Sequence, residues 1–446
     1  MADINVLYVS YSFPPVNAAA SFRALNLSNN LHEHGIHCTI VTKNIEREVH
    51  IHRTTDISLL KQIHKSTKVK RARFFSPTIF YLPMKIFGVI KRILKRKKKS
   101  SNTALPKVGE IPRDPFIPDH YIEWLPQAFL KAIKVPRKKV DMIYASGPPF
   151  TVHLIGYLLK THFRKPLILE YRDVLTNDPY NPSYGIKENV NSVLEKQFLR
   201  NADAVVSVSQ PIIDELLKKY DLKHIRHKFY EIPSAFDPSD FKPIPLDSSN
   251  KDAFVLTLTT TLYGARKPDL VFQSISRLKK EGLLDDVDFS LNIYGYNEEA
   301  RFKPELERLN IQDAVHFKGF ISHEECLDVL KNSTFNVDLG ETGFNYPTIP
   351  YHFWEYLGSG KQILHFGYSD HYKARFVKEH NLGIVLPFEA PEKIYEILSQ
   401  LIKDFKSGTI KNELASDVAS KQTWASRVNK LSRIIKKLHL KTIKSR

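Results

Sequence analysis

Short, uninterrupted apolar runs recur along this chain, and they constrain its fold more than any other feature. Ile4–Ser10 (INVLYVS) is continuous, apolar and β-branched, the pattern of a parallel strand buried on both faces. A turn with Pro14 and Pro15 follows, then a helix from about Ser21 to His34 whose apolar positions include Leu25, Leu27 and Leu31. Gly35 closes that helix, and Cys38–Thr42 (CTIVT) supplies the next strand. The alternation resumes at Asp141–Ala145, Pro166–Glu170 and Ala204–Ser207, which describes a doubly wound sheet. Prolines and polar residues from Glu231 to Lys251 read as a linker. A second alternation then runs through Phe254–Thr259, Phe289–Tyr294, Val315–Phe317, Phe335–Leu339, Gln362–Phe366 and Gly383–Leu386. Helical stretches, such as Pro268–Leu278 and His323–Leu330, separate these runs. The expected architecture is α/β, two Rossmann-like domains facing a central cleft that is the natural ligand site.

At 446 residues the chain exceeds the size at which one core stops growing, and 42% hydrophobic residues can fill two. The only cysteines, Cys38 and Cys326, are far apart, which argues against a disulfide framework or a cysteine metal site and suits a reducing cytoplasm. The first residues, MADINVLYVSYSF, lack the basic region of a signal peptide, and no apolar run reaches the roughly 18 residues that span a bilayer. A soluble or peripheral cytoplasmic protein is the expectation. Neither a G-x-G-x-x-G fingerprint nor a P-loop occurs, so dehydrogenase and kinase readings lose their best signals. The net charge of +18 is unevenly placed: Ile57–Gly109 and the chain beyond Asp417 contain no acidic residue. Such blocks call for an anionic partner, whether a lipid surface, nucleic acid or a charged substrate.

One segment concentrates chemistry. In Thr348–Leu364, TIPYHFWEYLGSGKQIL, Glu355 lies in an aromatic helical run that ends at Gly358–Gly360 and leads into an apolar strand. Both glycines are expected to let the backbone leave the helix with positive φ. A carboxylate one turn before such an exit lies near the strand ends where α/β domains bind ligands.

EYLGSGK resembles the signature of nucleotide-sugar glycosyltransferases of the GT-B type, in particular the family-4-like bacterial enzymes. The resemblance implies two facing Rossmann-like domains, with the C-terminal helix packing back on the N-terminal one. It places an acceptor-binding domain at 1–235 with a basic insertion at about 44–108, a nucleotide-sugar-binding domain at 252–410, and a C-terminal helix and basic tail at 411–446. It implies that Glu355 binds the donor nucleotide, usually at the ribose. Two departures stand out: His352 replaces a Lys common in relatives, and Pro347 replaces an acidic residue near the donor sugar. Thr259–Lys267 (TTTLYGARK) resembles the element that meets the donor diphosphate, which implicates Arg266, Lys267 and Tyr263. Arg266 leads, because its planar fork can make two hydrogen bonds to phosphate oxygens. On the acceptor side, Pro14, Pro15 and Arg23 match a Pro-Pro turn and helix start, and Arg172 and Asp173 in EYRD match an R-D-x-W element. In Ser146–His153 (SGPPFTVH) the resemblance turns His153 toward the cleft as a catalytic candidate beside Arg266 and Glu355.

The function implied is a hexosyltransferase-like enzyme of cell-surface polysaccharide assembly, retaining and metal-independent, with no cofactor beyond its substrate. The partners implied are a nucleotide-diphosphate sugar and a glycan or lipid-linked acceptor. Within that insertion the segment Phe74–Lys99, amphipathic and basic, suggests an anionic membrane surface rather than nucleic acid. Two rivals remain: a GT-B nucleotide-sugar epimerase, and a non-catalytic basic membrane- or nucleic-acid-binding protein on a degenerate transferase fold. Asp286-Val287-Asp288 mimics a D-x-D metal motif but precedes a strand instead of following one, and His32, His34, His37 and Cys38 straddle a helix end, so neither is expected to hold metal.

Overall fold

Each apolar run becomes a parallel strand, with small shifts at the ends, in a computed structural model that describes residues 3–45, 55–73, 116–176, 185–241, 253–262, 264–295 and 299–444. The first sheet contains β1 (Ile4–Ser10), β2 (Ile36–Lys43), β3 (Lys68–Ala72), β4 (Met142–Gly147), β5 (Leu167–Tyr171), β6 (Ala204–Ser207) and β7 (Phe229–Glu231). Its order is 3-2-1-4-5-6-7. The helices of this half are α1 (Ala19–Leu31), α2 (Leu125–Ile133), α3 (Thr151–Phe163), α4 (Ile186–Asn201) and α5 (Gln210–Lys219), with the short α6 (Pro238–Phe241) in the linker.

The second sheet contains β8 (Ala253–Thr259), β9 (Asp288–Tyr294), β10 (Val315–Gly319), β11 (Phe335–Leu339), β12 (Ile363–Gly367) and β13 (Gly383–Pro387), in the order 10-9-8-11-12-13. Around it lie α7 (Asp269–Lys280), α8 (Glu299–Leu309), α9 (His323–Lys331), α10 (Tyr351–Gly358), α11 (Tyr372–Glu379) and α12 (Pro391–Lys406). The short α13 (Ser416–Ser420) leads to α14 (Trp424–Lys444). In both sheets the strand order reverses beside the first strand, between β1 and β4 and between β8 and β11. Loops leaving the carboxyl ends there diverge and open a crevice.

α14 crosses back to the first half. Trp424, Val428, Leu431 and Ile435 join Leu25, Leu27 and Leu31 in one buried cluster. Each aliphatic chain so buried contributes about 1.5–3 kcal/mol. That face of the basic terminal helix is therefore committed to the core and is not available to anchor the protein on a membrane.

Gly360 carries the expected left-handed conformation, with φ of +77°. Gly358 does not: it closes α10 in helical geometry. A Cβ there would lie 2.3 Å from Phe241 and 2.9 Å from Phe236, so this glycine permits close approach of the linker.

Two elements of the first half carry no apolar run. β3 (KVKRA) is an edge strand, and charged side chains are common on edges. β7 is only three residues long.

Candidate active site

The second sheet's reversal point gathers the motif residues. Arg266, in the turn after β8, donates from Nε to Glu341 Oε1 at 3.1 Å and from Nη1 to Thr260 Oγ1 at 3.3 Å. Glu341 follows β11, and the Thr342 amide donates to the Ala265 carbonyl at 2.8 Å, so the two loops are joined. Burial would raise the Glu341 pKa, but Lys373 and Arg266 hold it below the usual value.

Behind this pair lies a second carboxylate, Asp338 on β11, which is fully buried. His365 Nδ1 donates to it at 2.6 Å and His352 Nε2 at 3.3 Å, while Lys373 Nζ lies 3.0 Å away. The parallel register creates this cluster, because Asp338 and His365 are direct partners on β11 and β12. Burial disfavours the ionised form, yet Lys373 and the two histidines hold the Asp338 carboxyl well below its normal pKa. A buried ion needs such satisfaction to persist. Burial lowers the His352 pKa despite the hydrogen bond to Asp338, so the imidazole that stands where relatives have Lys is neutral. Lys373 Nζ is 3.9 Å from Glu341 Oε2, which links the buried cluster to Arg266. None of Asp338, Glu341, His365 or Lys373 is singled out by the sequence. The signal was a charged residue within a run of buried strand, which demands a buried counter-ion.

Glu355 is 7% exposed and accepts a 2.8 Å hydrogen bond from His323 Nε2 at the start of α9. Burial opposes charge on His323, but the bond and charge of Glu355 raise its pKa on balance. The Phe22 ring of α1 covers this pair, 4.5 Å from His323 and stacked at 5.3 Å on Tyr351. Tyr356, next along α10, bonds through its hydroxyl to the Thr259 amide at 2.9 Å and so fixes the helix to the end of β8. Glu355 and Arg266 thus belong to one frame at one sheet end. Lys267 is exposed and lies outside the network. Tyr263 and the Phe74–Lys99 segment of the insertion lie outside the described residues.

On the first sheet the assignments change. His153 does not face an open cleft: it is fully buried, and its Nε2 meets the Glu170 carbonyl at 2.8 Å. A carbonyl only accepts, so Nε2 carries the proton, and burial pushes the pKa down to about 4. Gly147 makes room for the ring, since a Cβ there would lie 2.8 Å from Nε2. The S-G-P-P-x-x-x-H segment therefore ties α3 to β5.

Arg23 is buried too. Its Nε and Nη2 donate to Glu170 Oε1 at 3.0 and 2.9 Å, and Nη2 also donates to the Ile232 carbonyl at 2.8 Å. Tyr144 OH donates to the same Glu170 oxygen at 2.5 Å, and Ser146 Oγ donates to Oε2. Arg23 is thus a counter-ion joining α1, β5 and the linker, not an acceptor-side contact. Arg172 donates from Nε to Ser146 Oγ at 3.2 Å and from Nη2 to the Pro148 carbonyl. Asp173 does reach across: Tyr346 OH donates to its Oδ1 at 2.7 Å. Ser209 Oγ likewise donates to the Pro347 carbonyl at 2.5 Å, so the loop after β11 touches the first domain twice.

Two all-parallel sheets with a site at the second reversal point define a GT-B fold, and known structures agree. A glycosyltransferase from Rickettsia africae matches 98% of this chain over 99% of its own, at 13% identity and a TM-score of 0.62. A TarM variant from S. aureus, solved with Fondaparinux, alpha-GlcNAc-glycerol and UDP, matches 98% over 100% of its own length, at 11% identity and a TM-score of 0.61. A candidate UDP-N-acetylglucosamine 2-epimerase from Listeria monocytogenes matches 98% over 96%, at 14% identity and a TM-score of 0.54. Residues 20–240 match Glycosyltransferase Family 4, and with the fold this makes the chain a glycosyltransferase. No curated protein matches it in sequence.

Among the described residues no cluster of His, Cys, Asp and Glu could hold a metal ion, and no helix is long and apolar enough to cross a membrane.

Proposed function

We propose that this enzyme moves a hexosyl unit from a nucleotide-diphosphate sugar to a glycan or lipid-linked acceptor in cell-surface polysaccharide assembly. The observation that carries the reading is the shared frame of Glu355 and Arg266 at the second sheet's reversal point. Glu355 can accept hydrogen bonds from ribose hydroxyls, and Arg266, aimed by Glu341 and Thr260, can meet the charge that grows on the departing diphosphate. This stabilisation comes from a preorganised cation rather than a metal ion, and the family resemblance suggests retention at the anomeric carbon. Asp338, Lys373 and Glu341 position Arg266 and His352 and do not themselves react.

The test is thermal shift with a panel of nucleotide sugars, beginning with UDP-sugars. A ligand at 100 times its Kd stabilises the native state by about 2.7 kcal/mol. Glu355→Gln should abolish the shift and leave the fold intact, and unchanged donor affinity in that variant would remove the central assignment. Release of free nucleotide without glycan or lipid product would instead favour the epimerase reading. The acid-free stretch Ile57–Gly109 supports peripheral attachment to an anionic membrane. Flotation on anionic vesicles that is lost in high salt tests it, and no binding to any vesicle refutes it.

A further inference from the structure

The two domains and α14 line a half-open cavity of about 380 Å³, separate from the Glu355–Arg266 frame. Gln210 and Glu231 line it from the first domain, Tyr372, Phe376 and Glu379 from the second, and Arg427 and Lys430 from α14. Its charges are mixed and unpaired with one another: among the described residues neither carboxylate forms an ion pair with either cation. Glu231 instead accepts from the Gln210 amide at 2.8 Å, and Arg427 donates to Gln422 Oε1. Arg427 Nε is buried and has no acceptor. Burial lowers the Arg427 pKa to about 10, with Glu231 opposing the fall.

This combination selects among ligand classes. A phosphate or other simple anion would meet Glu231 and Glu379, and a simple amine would meet Arg427 and Lys430. A polyol suits both, since each hydroxyl can donate to a carboxylate and accept from a guanidinium. The ring of Tyr372 adds apolar surface against which the C–H face of a pyranose can lie, Phe376 being stacked on His380, and the volume lies within the range of small-molecule sites. We infer that this cavity is a carbohydrate subsite that holds a non-reacting part of the acceptor glycan. The inference rests on the transferase reading for the word acceptor, but not for the sugar.

The cavity is also tied to the loop after β11. The Tyr372 amide donates to Asn345 Oδ1 at 2.9 Å, and Ser209, next to Gln210, holds the Pro347 carbonyl. The cavity wall is therefore hydrogen-bonded to the loop that bridges the two domains.

Saturation-transfer NMR with lactose, maltose and chitobiose on the full chain tests the proposal. At least one disaccharide should bind to wild type and to Glu355→Gln alike. Glu379→Gln, an exposed change that spares the fold, and Tyr372→Ala should each weaken binding about tenfold, as expected for loss of a charge-assisted bond or an aromatic face. Three results overturn it: no disaccharide binding at millimolar concentration, binding lost in Glu355→Gln but kept in both cavity variants, or displacement of the sugar by pyrophosphate at equal concentration. Sugar binding without any nucleotide-sugar shift would sink the transferase reading and leave the subsite standing.

Discussion

Replacing Gly358 by Ala separates two accounts of the signature's first glycine. If that residue served only to end a helix, Ala in its helical geometry would stabilise α10 by about 1 kcal/mol. The packing says otherwise. The new Cβ would lie 2.3 Å from Phe241 Cε2 and 2.9 Å from Phe236 Cδ2, far inside ordinary contact, and those rings are only 7% and 6% exposed. Neither ring can swing into solvent, so α10 or the linker must shift. Overpacking of this kind costs about 1–3 kcal/mol, which cancels or outweighs the propensity gain and leaves a net loss of up to about 2 kcal/mol. Gly360→Ala should lose about as much for another reason, because φ of +77° strains any residue with a Cβ while nothing lies within 4 Å of the new atom. Phe241→Leu tells the two apart, since Leu does not reach the position of Cε2. In urea melts followed by tryptophan fluorescence, to which Trp354 on α10 contributes, Gly358→Ala should couple to Phe241→Leu by about 1 kcal/mol or more. Gly360→Ala should add independently. A stabilised Gly358→Ala, or a cycle that closes at zero, would refute the close-packing account.

Arg266→Ala should slow transfer roughly 10²–10³-fold with little loss of stability, and near-normal turnover would pass its role to Lys267. Asp338→Asn should weaken diphosphate-dependent binding and lower Tm together, because it leaves the buried Lys373 without its nearest carboxylate; a change in Tm alone would confine Asp338 to a structural part. Glu195 on α4 is fully buried, accepts from Thr176 and Tyr220, and burial raises its pKa from 4.5 to about 7. The folded protein thus holds a proton that the open chain releases, so this stability is complete below pH 4.5 and is lost as pH rises through 7. Glu195→Gln should recover about 3 kcal/mol at pH 8 and nothing at pH 4, and equal melts of both proteins across that range would contradict it.

Sheet and strand assignments were readable because parallel strands buried on both faces need unbroken apolar runs. β3 escaped because its lysines and arginine sit on an edge where burial is incomplete. At the site, Glu355 and Arg266 were visible as motif residues, but their partners were not. His323 is 32 positions from Glu355, and Asp338 meets His365 only through the register of two strands. Arg23 and His153 were misjudged for a related reason. Arg23 serves the Glu170 carboxylate, whose place inside an apolar strand already required a buried cation and several donors, while His153 binds the same residue's backbone carbonyl, which no side-chain pattern reveals.

The two chain segments that pass between the domains run side by side. Phe236 and Thr423 form a parallel bridge, the Phe236 amide donates to the Gln422 carbonyl at 3.3 Å, and the Trp424 amide donates to the Phe236 carbonyl at 3.1 Å. This pins the two crossing segments to each other at one place. It also sets the order of assembly on the ribosome. When β7 has emerged, the wall of the first domain that α14 will supply is still unmade, and the apolar side of α1 that packs on it is uncovered. The domain synthesised first is therefore finished last, and a ribosome that stalls within the second domain leaves an open apolar trough for chaperones to guard.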